Sequence, residues 1–312
     1  MNQIANVHSG DLAFVYTARK AGGRTRGVIY GPFRILSEPF FNSSVVWSPN
    51  PRMPSHDKYA YRVKMRLTHE HVCLNPLPVQ VLWDLREEGK VKTVIDASAL
   101  TNKSVINLLP NEGRLILEAI LQFNPRPCAD PTPYLGHTLA ETPIDPLEFR
   151  GKAVKEFRSE ARFETYLLQN PDVLTRLACF ATEPQGSWQM ELYNQVSTYI
   201  AGGAVDIIAI YKRDVFDMLL TLGAAVFELK KGPVDPDSME QLIQYVEWTS
   251  RLLPGLRRNM VHGVLIGRSV GSPSTRAAVV RNVQAAAAVY SVSCYEYSIT
   301  SDDSVAFREL AD

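Results

Sequence analysis

Three residues in the second half of the chain have the types and spacing for metal-assisted hydrolysis. They are Asp206 in Gly203-Ala204-Val205-Asp206-Ile207-Ile208-Ala209, and Glu228 and Lys230 in Val226-Phe227-Glu228-Leu229-Lys230-Lys231-Gly232. Side chains alternate across a strand, so Glu228 and Lys230 share one face while Phe227 and Leu229 take the other. If the strand carrying Asp206 pairs with this one as a hairpin, a second carboxylate arrives beside the first. Two such hard oxygen ligands can hold Mg²⁺, with Mn²⁺ able to substitute. The ion would polarise a phosphate and activate water. A neighbouring ammonium would add a charge and a donor that strengthen as negative charge grows in the transition state. The chemistry that fits is phosphodiester hydrolysis. An isolated Glu-x-Lys usually marks a solvated strand edge, and the surrounding pattern is what sets this one apart.

That pattern begins with the elements that must position the three residues. From Ser238 to Trp248 apolar residues recur at helical spacing, which puts Gln241 and Tyr245 on one face. That face either touches the lysine or the scissile phosphate, or packs on a sheet with one buried amide. Val154 to Leu168 also has helical spacing, stopped by Asn170-Pro171. Val261 to Gly267 and Val292 to Ser298 read as strands around an alanine-rich helix from Ser274 to Val289. The expectation for this half is an α/β sheet layered with helices.

Ser159-Glu160, Asn170-Pro171, Gly203-x-x-Asp206, Glu228-x-Lys230 and Gln241-x-x-x-Tyr245 together resemble the PD-(D/E)XK nuclease superfamily. Within it the likeness is to the NucS and restriction-endonuclease-like branch, over about residues 150–300. The resemblance implies a mixed sheet flanked by helices. It makes Glu160 the acid of the first helix, Asp206 and Glu228 the metal-binding acids, Lys230 the catalytic lysine, and Gln241 and Tyr245 the following helix motif. Glu164 lies one helical turn beyond Glu160 and can face the same cleft, so it stands as an alternate ligand. One metal ion or two remain open.

The chain has 312 residues, 46% of them apolar, enough for two domains with a core each. The apolar stretch Met218 to Phe227 is half the ~20 residues of a membrane span, which indicates no anchor. Met1 to Gly10 has no basic start followed by an apolar run, so no secretory signal is expected and cytoplasm is the default. Cys73, Cys128, Cys179 and Cys294 form no Cys-x-x-Cys pair, against a zinc knuckle or a disulfide framework. Net charge is zero but unevenly divided: residues 1–124 hold 15 Lys and Arg against 10 Asp and Glu, and residues 125–312 hold 18 against 23. A basic first half suits contact with phosphates and an acidic second half suits a metal site.

Pro125, Pro127, Pro131, Pro133, Pro143 and Pro146 crowd a stretch without helical or strand periodicity. It reads as an extended, semi-rigid linker over 125–150, between a first domain of 1–124 and a second of 151–312. The first domain reads as mainly β, with Leu12 to Thr17, Gly27 to Leu36, Tyr61 to Leu67 and Val79 to Trp83 as candidate strands of a small barrel.

Three segments of that domain, Gly10 to Tyr16, Arg26 to Ile35 and Tyr61 to Lys64, resemble an EVE domain of the PUA-like group that includes YTH. Asn102 to Leu109 and a helix from Asn111 to Phe123 suit the same pattern. The resemblance implies a PUA-like β-barrel with helices that holds a flipped, modified base between aromatic walls. Trp47 is the first candidate wall, with Tyr16, Phe33 and Tyr59 behind it. The tryptophan-bearing opening strand usual in EVE domains is missing here, which leaves Asn6 or His8 to line the pocket. Arg24 and Arg26, beside Gly22-Gly23, read as a basic hairpin tip, and with Arg62 they are the candidates for the DNA backbone. His69-Glu70-His71 is a weaker metal candidate, and Asp302-Asp303 reads as a solvated turn.

Joined, the halves imply a modification-dependent restriction endonuclease acting on double-stranded DNA as a homodimer, since two cuts need two active sites. A NucS-like repair nuclease for mismatched or branched ends, and a non-catalytic nucleic-acid binder, are the alternatives.

Overall fold

The computed structural model describes residues 4–21, 24–46, 49–57, 59–67, 75–91, 105–125, 141–144, 157, 159–178, 188–198, 203–253, 255–268, 272–300 and 304–310. The chain divides into two compact units, the boundary along the sequence falling between Ile144 and Asp145.

In the first unit, strands β1 (Leu12–Ala21) and β2 (Arg24–Ile35) form an antiparallel hairpin in which Tyr16 faces Ile29. At the other edge of β2, β7 (Met65–Leu67) and β8 (Leu77–Pro78) pair with it. Strand β3 (Phe40–Phe41) pairs with β6 (Tyr61–Arg62) and β9 (Thr142–Pro143), and β4 (Pro49–Asn50) pairs with β5 (Met53–Asp57). Among the described residues these sheets do not close into a barrel. Helices α1 (Gln80–Glu87) and α2 (Pro110–Phe123) pack on β2 through a core of Ile29, Leu77, Val79, Leu82, Val91, Ile116 and Ile120.

Three sequence expectations change here. Val79 to Trp83 is the start of helix α1, not a strand. Pro78 cannot donate to the ladder, Val79 N–H to Gly27 O is the last strand contact, and the Leu82 N–H then bonds back to Val79 O. Tyr61 to Leu67 is two strands on different sheets rather than one. Within the expected linker, Thr142 and Pro143 are strand residues: Phe41 pairs with Thr142 and Phe40 with Pro143, Ile144 is buried, and Glu141 forms an ion pair with Lys64. An edge strand tolerates the proline. The remainder of that segment lies outside the described residues.

The second unit is built on a six-stranded sheet. Its strands are β10 (Trp188–Ser197), β11 (Ala204–Val215), β12 (Met218–Lys230), β13 (Val261–Gly267), β14 (Ser291–Ile299) and β15 (Val305–Glu309), in that order across the sheet. Strands β10 to β12 are antiparallel, β12 to β14 parallel, and β14 with β15 antiparallel. The two parallel steps need crossovers, supplied by α5 (Pro236–Leu252) and α6 (Pro273–Ala287). Alternation sends Ile208, Ile210, Ala224, Val226 and Leu265 toward α5, where Met239, Leu242, Tyr245 and Val246 meet them. A Cβ on Gly263 would fall 2.9 Å from Val246 Cγ2, so the bare backbone there is what lets α5 lie close on β13.

On the other face stand α3 (Glu160–Leu168), α4 (Pro171–Leu177) and an aromatic cluster. Phe163 lies 4.3 Å from Tyr297 and 5.0 Å from Phe157, ring centre to ring centre. Helix α3 is shorter than the expected Val154 to Leu168. It begins at Glu160 because Ser159 is extended and its Oγ caps the Arg162 N–H at 3.3 Å. Residues 151–156 and 158 lie outside the described ones.

Candidate active site

The β11–β12 hairpin brings the two acids together. Ile207 pairs with Phe227, so Asp206 and Glu228 are the next residues on opposed strands and fall on one face, the face covered by α5. Asp206 reaches across the hairpin, its Oδ2 accepting the Leu229 N–H at 2.8 Å. Two residues past Glu228 on the same face, Lys230 Nζ donates to Glu228 Oε1 at 2.8 Å and to Gln241 Oε1 at 3.3 Å. The Gln241 amide then donates from Nε2 to the Tyr245 hydroxyl at 2.9 Å. Glu228, Lys230, Gln241 and Tyr245 therefore form one hydrogen-bonded chain from strand to helix, with Tyr245 1% exposed.

Behind Asp206 stands an arrangement the sequence reading missed. Gln195 on β10 donates from Nε2 to Asp206 Oδ1 at 2.8 Å and to Glu164 Oε2 at 3.1 Å, and Asn194 Nδ2 donates to Glu164 Oε1 at 2.8 Å. The two helix acids thus occupy different places. Glu160 is exposed at the start of α3, its Oε1 accepting the Lys231 N–H at 3.2 Å. Glu164 is buried, and the Gln195 amide bridges it to Asp206. The signal for the amide pair was thin: two polar residues interrupting Leu192-Tyr193-Asn194-Gln195-Val196, with no spacing to mark them.

Among the described residues the site is short of positive charge. Burial pushes Asp206 up to about 6, helped by the charge of Glu160 and opposed by the Leu229 and Gln195 hydrogen bonds and by Lys230. Burial and then the charge of Asp206 push Glu228 up to about 7 against the pull of Lys230. Burial works against the Lys230 ammonium, but the hydrogen bond and charge of Glu228, with Asp206 and Glu160, outweigh it and hold its pKa above the ordinary lysine value. One ammonium thus faces two buried carboxylates.

The donor set fits a hard divalent cation. Among the described residues Glu228 Oε2 is buried without a hydrogen-bond partner, an acceptor left unsatisfied. Among the described residues no group of three or more His, Cys, Asp and Glu comes together as a metal cluster. The protein's share would be the two carboxylates, hard oxygen donors of the kind Mg²⁺ takes.

The chain after Lys230 is pinned at the mouth of the site. Arg268 N–H bonds to Gly232 O at 3.0 Å and Tyr297 Oη to Lys231 O at 3.1 Å. A Cβ on Gly267 would fall 2.4 Å from Val234 Cγ2, so glycine is required where β13 ends under this loop.

Tyr16 packs on the core over Gly27, where a Cβ would fall 2.1 Å from its Cε2. Phe33 is half-buried on β2 opposite Ala13 and Leu67, Tyr59 is exposed before β6, and Asn6 lies in the turn that precedes β1. The Arg62 guanidinium donates to Ser44 O at 2.6 Å, Tyr59 O at 3.1 Å and Asn42 Oδ1 at 3.4 Å, which ties its fork within the unit. His8 meets Glu38 at 3.1 Å. Arg24 and Arg26 lie on β2 opposite Ala21 and Arg19. Their side chains lie outside what is described, as do Trp47, Gly22-Gly23, His69-Glu70-His71, Asn102 to Ser104, Asp302-Asp303, Cys73, Cys128 and Cys179. Cys294 is a buried free thiol. Among the described residues no helix is long and apolar enough to cross a membrane.

No family model, no curated protein and no solved structure matches this chain.

Proposed function

We propose that the chain is a Mg²⁺-dependent DNA endonuclease of the modification-dependent restriction type. Its first unit reads a modified base flipped from double-stranded DNA, with cytosine modified at its fifth carbon the leading expectation. Its second unit hydrolyses phosphodiester bonds nearby. The observation that carries the reading is the pair Asp206 and Glu228, side by side on a hairpin, both lifted toward neutrality by burial and faced by Lys230.

When bound by Asp206 and Glu228, Mg²⁺ or Mn²⁺ supplies Lewis-acid polarisation of the scissile phosphate and a more acidic water. Lys230 stays an ammonium at neutral pH, so its part is charge and hydrogen-bond donation to the phosphate rather than proton abstraction. Gln241, itself held by Tyr245, aims that ammonium. Glu228 gives one oxygen to Lys230 and keeps the other for ligation. Cleavage of both strands calls for a homodimer.

The test is incubation with Mg²⁺ of matched plasmids carrying unmodified, methylated or hydroxymethylated cytosine. The expected result is cutting of a modified plasmid only, abolished by Asp206→Ala. A second reading, a repair-type nuclease acting on mismatched or branched unmodified duplex, draws on the first unit, where Tyr16 and Arg62 are engaged in internal packing and bonding. Equal cutting of all three plasmids would favour it.

A further inference from the structure

We infer that Gln195 is the positioning residue of this site, a clamp that fixes the Asp206 carboxylate against the buried Glu164 in the orientation a metal needs. The inference rests on the metal-dependent nuclease reading. Strand geometry and the hydrogen bonds of β10 conflict at this point. Successive residues of a strand point to opposite faces, yet Asn194 and Gln195 both donate to Glu164, one to each oxygen. What reconciles them is the backbone: Gln195 has φ of +52°, a left-handed conformation that side chains other than Asn and Asp adopt rarely. The register of β10 with β11 is unbroken on either side, Asn194 facing Ile207 and Val196 facing Val205. The twist is therefore local to the one residue that stands opposite Asp206.

The amide's two hydrogens are both engaged, one on Glu164 Oε2 and one on Asp206 Oδ1. With Leu229 N–H on Oδ2, each oxygen of Asp206 has a fixed donor. The plane of the carboxylate is set by two strands at once, and its remaining lone pairs are held for a cation beside Glu228. Glu164 is 1% exposed and its place on α3 is fixed, so it serves as the anchor of the clamp. A backbone strain kept at such a residue is the kind that functional geometry retains.

The experiment measures Mn²⁺ binding by calorimetry on the full chain without DNA, together with thermal unfolding and steady-state cleavage. Gln195→Met keeps the volume and removes both donors. Gln195→Gly removes the side chain and releases the backbone. The expected result is a loss of Mn²⁺ affinity of about 10- to 100-fold in both variants. The turnover number should fall with it while KM for DNA stays within about twofold, and Gln195→Gly, whose backbone is released, should melt no lower than Gln195→Met, since both lose the two donors. Wild-type Mn²⁺ affinity and turnover in two folded variants would overturn the inference, and so would failure of both to fold, which would make Gln195 a residue of the fold alone. A wild-type chain that neither binds Mn²⁺ nor cuts DNA would instead overturn the nuclease reading, and the inference with it.

Discussion

Glu228 and Glu296 are both buried carboxylates on the same sheet, 3% and 9% exposed. They are nearly in one row, since Gly267 pairs with Lys230 on one side and with Glu296 on the other. What faces them differs. Glu296 meets two guanidinium groups, Arg276 at 3.7 Å and Arg308 in close contact, an excess of positive charge over its own. Among the described residues Glu228 has the ammonium of Lys230, whose charge also acts on Asp206, and an oxygen without a hydrogen-bond partner. A buried acid with its charge more than balanced is a strut; a buried pair of acids with too little cation is a candidate site for one. His262 extends the contrast. It is buried, and burial drives its pKa down to about 4, so it stays neutral between the Ser291 and Ser293 hydroxyls and belongs with the struts.

The sharpest way to break this comparison is to neutralise each glutamate in turn. Glu228→Gln should lower DNA cleavage by at least about 10³-fold, because in the proposed reading it removes a metal ligand and with it the Lewis acid. Glu296→Gln should change it by less than about threefold and lower stability by about 1 kcal/mol, since its arginine partners are largely exposed. Comparable losses of cleavage in the two variants would erase the distinction. Lys230→Met should lower turnover by about 10²–10³-fold, the effect of losing one donor to developing charge, with Mn²⁺ affinity largely kept.

The smallest effect is on stability against pH. The folded-state pKa of Asp206 is raised from 3.8 to about 6 and that of Glu228 from 4.5 to about 7. For acids raised in this way the folded state binds more protons than the unfolded state. Their contribution to stability is then full below the unfolded values and is lost as pH rises through about 7. The metal-free protein should therefore melt lower at about pH 8 than at about pH 5, and Mg²⁺ should restore the loss at the higher pH. Melting curves of wild type and of the Asp206→Asn, Glu228→Gln double variant check this. An equal pH slope in the two would contradict a charge-starved pair.

Much of the second unit's sheet could be read from the sequence because its strands have strong patterns. Glu228-x-Lys230 places both side chains on one face by alternation alone, and four-residue spacing does the same for Gln241 and Tyr245. The Gln195 clamp could not be read. Alternation predicts opposite faces for Asn194 and Gln195, and only the left-handed φ reverses it. Glu160 and Glu164 share a helix face by spacing, but which strand each meets depends on where α3 begins and how it lies on the sheet. In the first unit, the five-residue run from Val79 to Trp83 is too short for periodicity to separate strand from helix, and Pro78 decided the outcome. Two-residue strands such as Thr142–Pro143 leave no pattern at all.

The most direct test of the central claim is cleavage in Mn²⁺ of a panel of plasmids, unmodified and cytosine-modified, by wild type and by Glu228→Gln side by side. The account predicts that wild type cuts at least one of them, that chelation of the metal stops it, and that Glu228→Gln cuts none. A wild-type chain that leaves every plasmid intact, or a Glu228→Gln chain that cuts as fast as wild type, would contradict it.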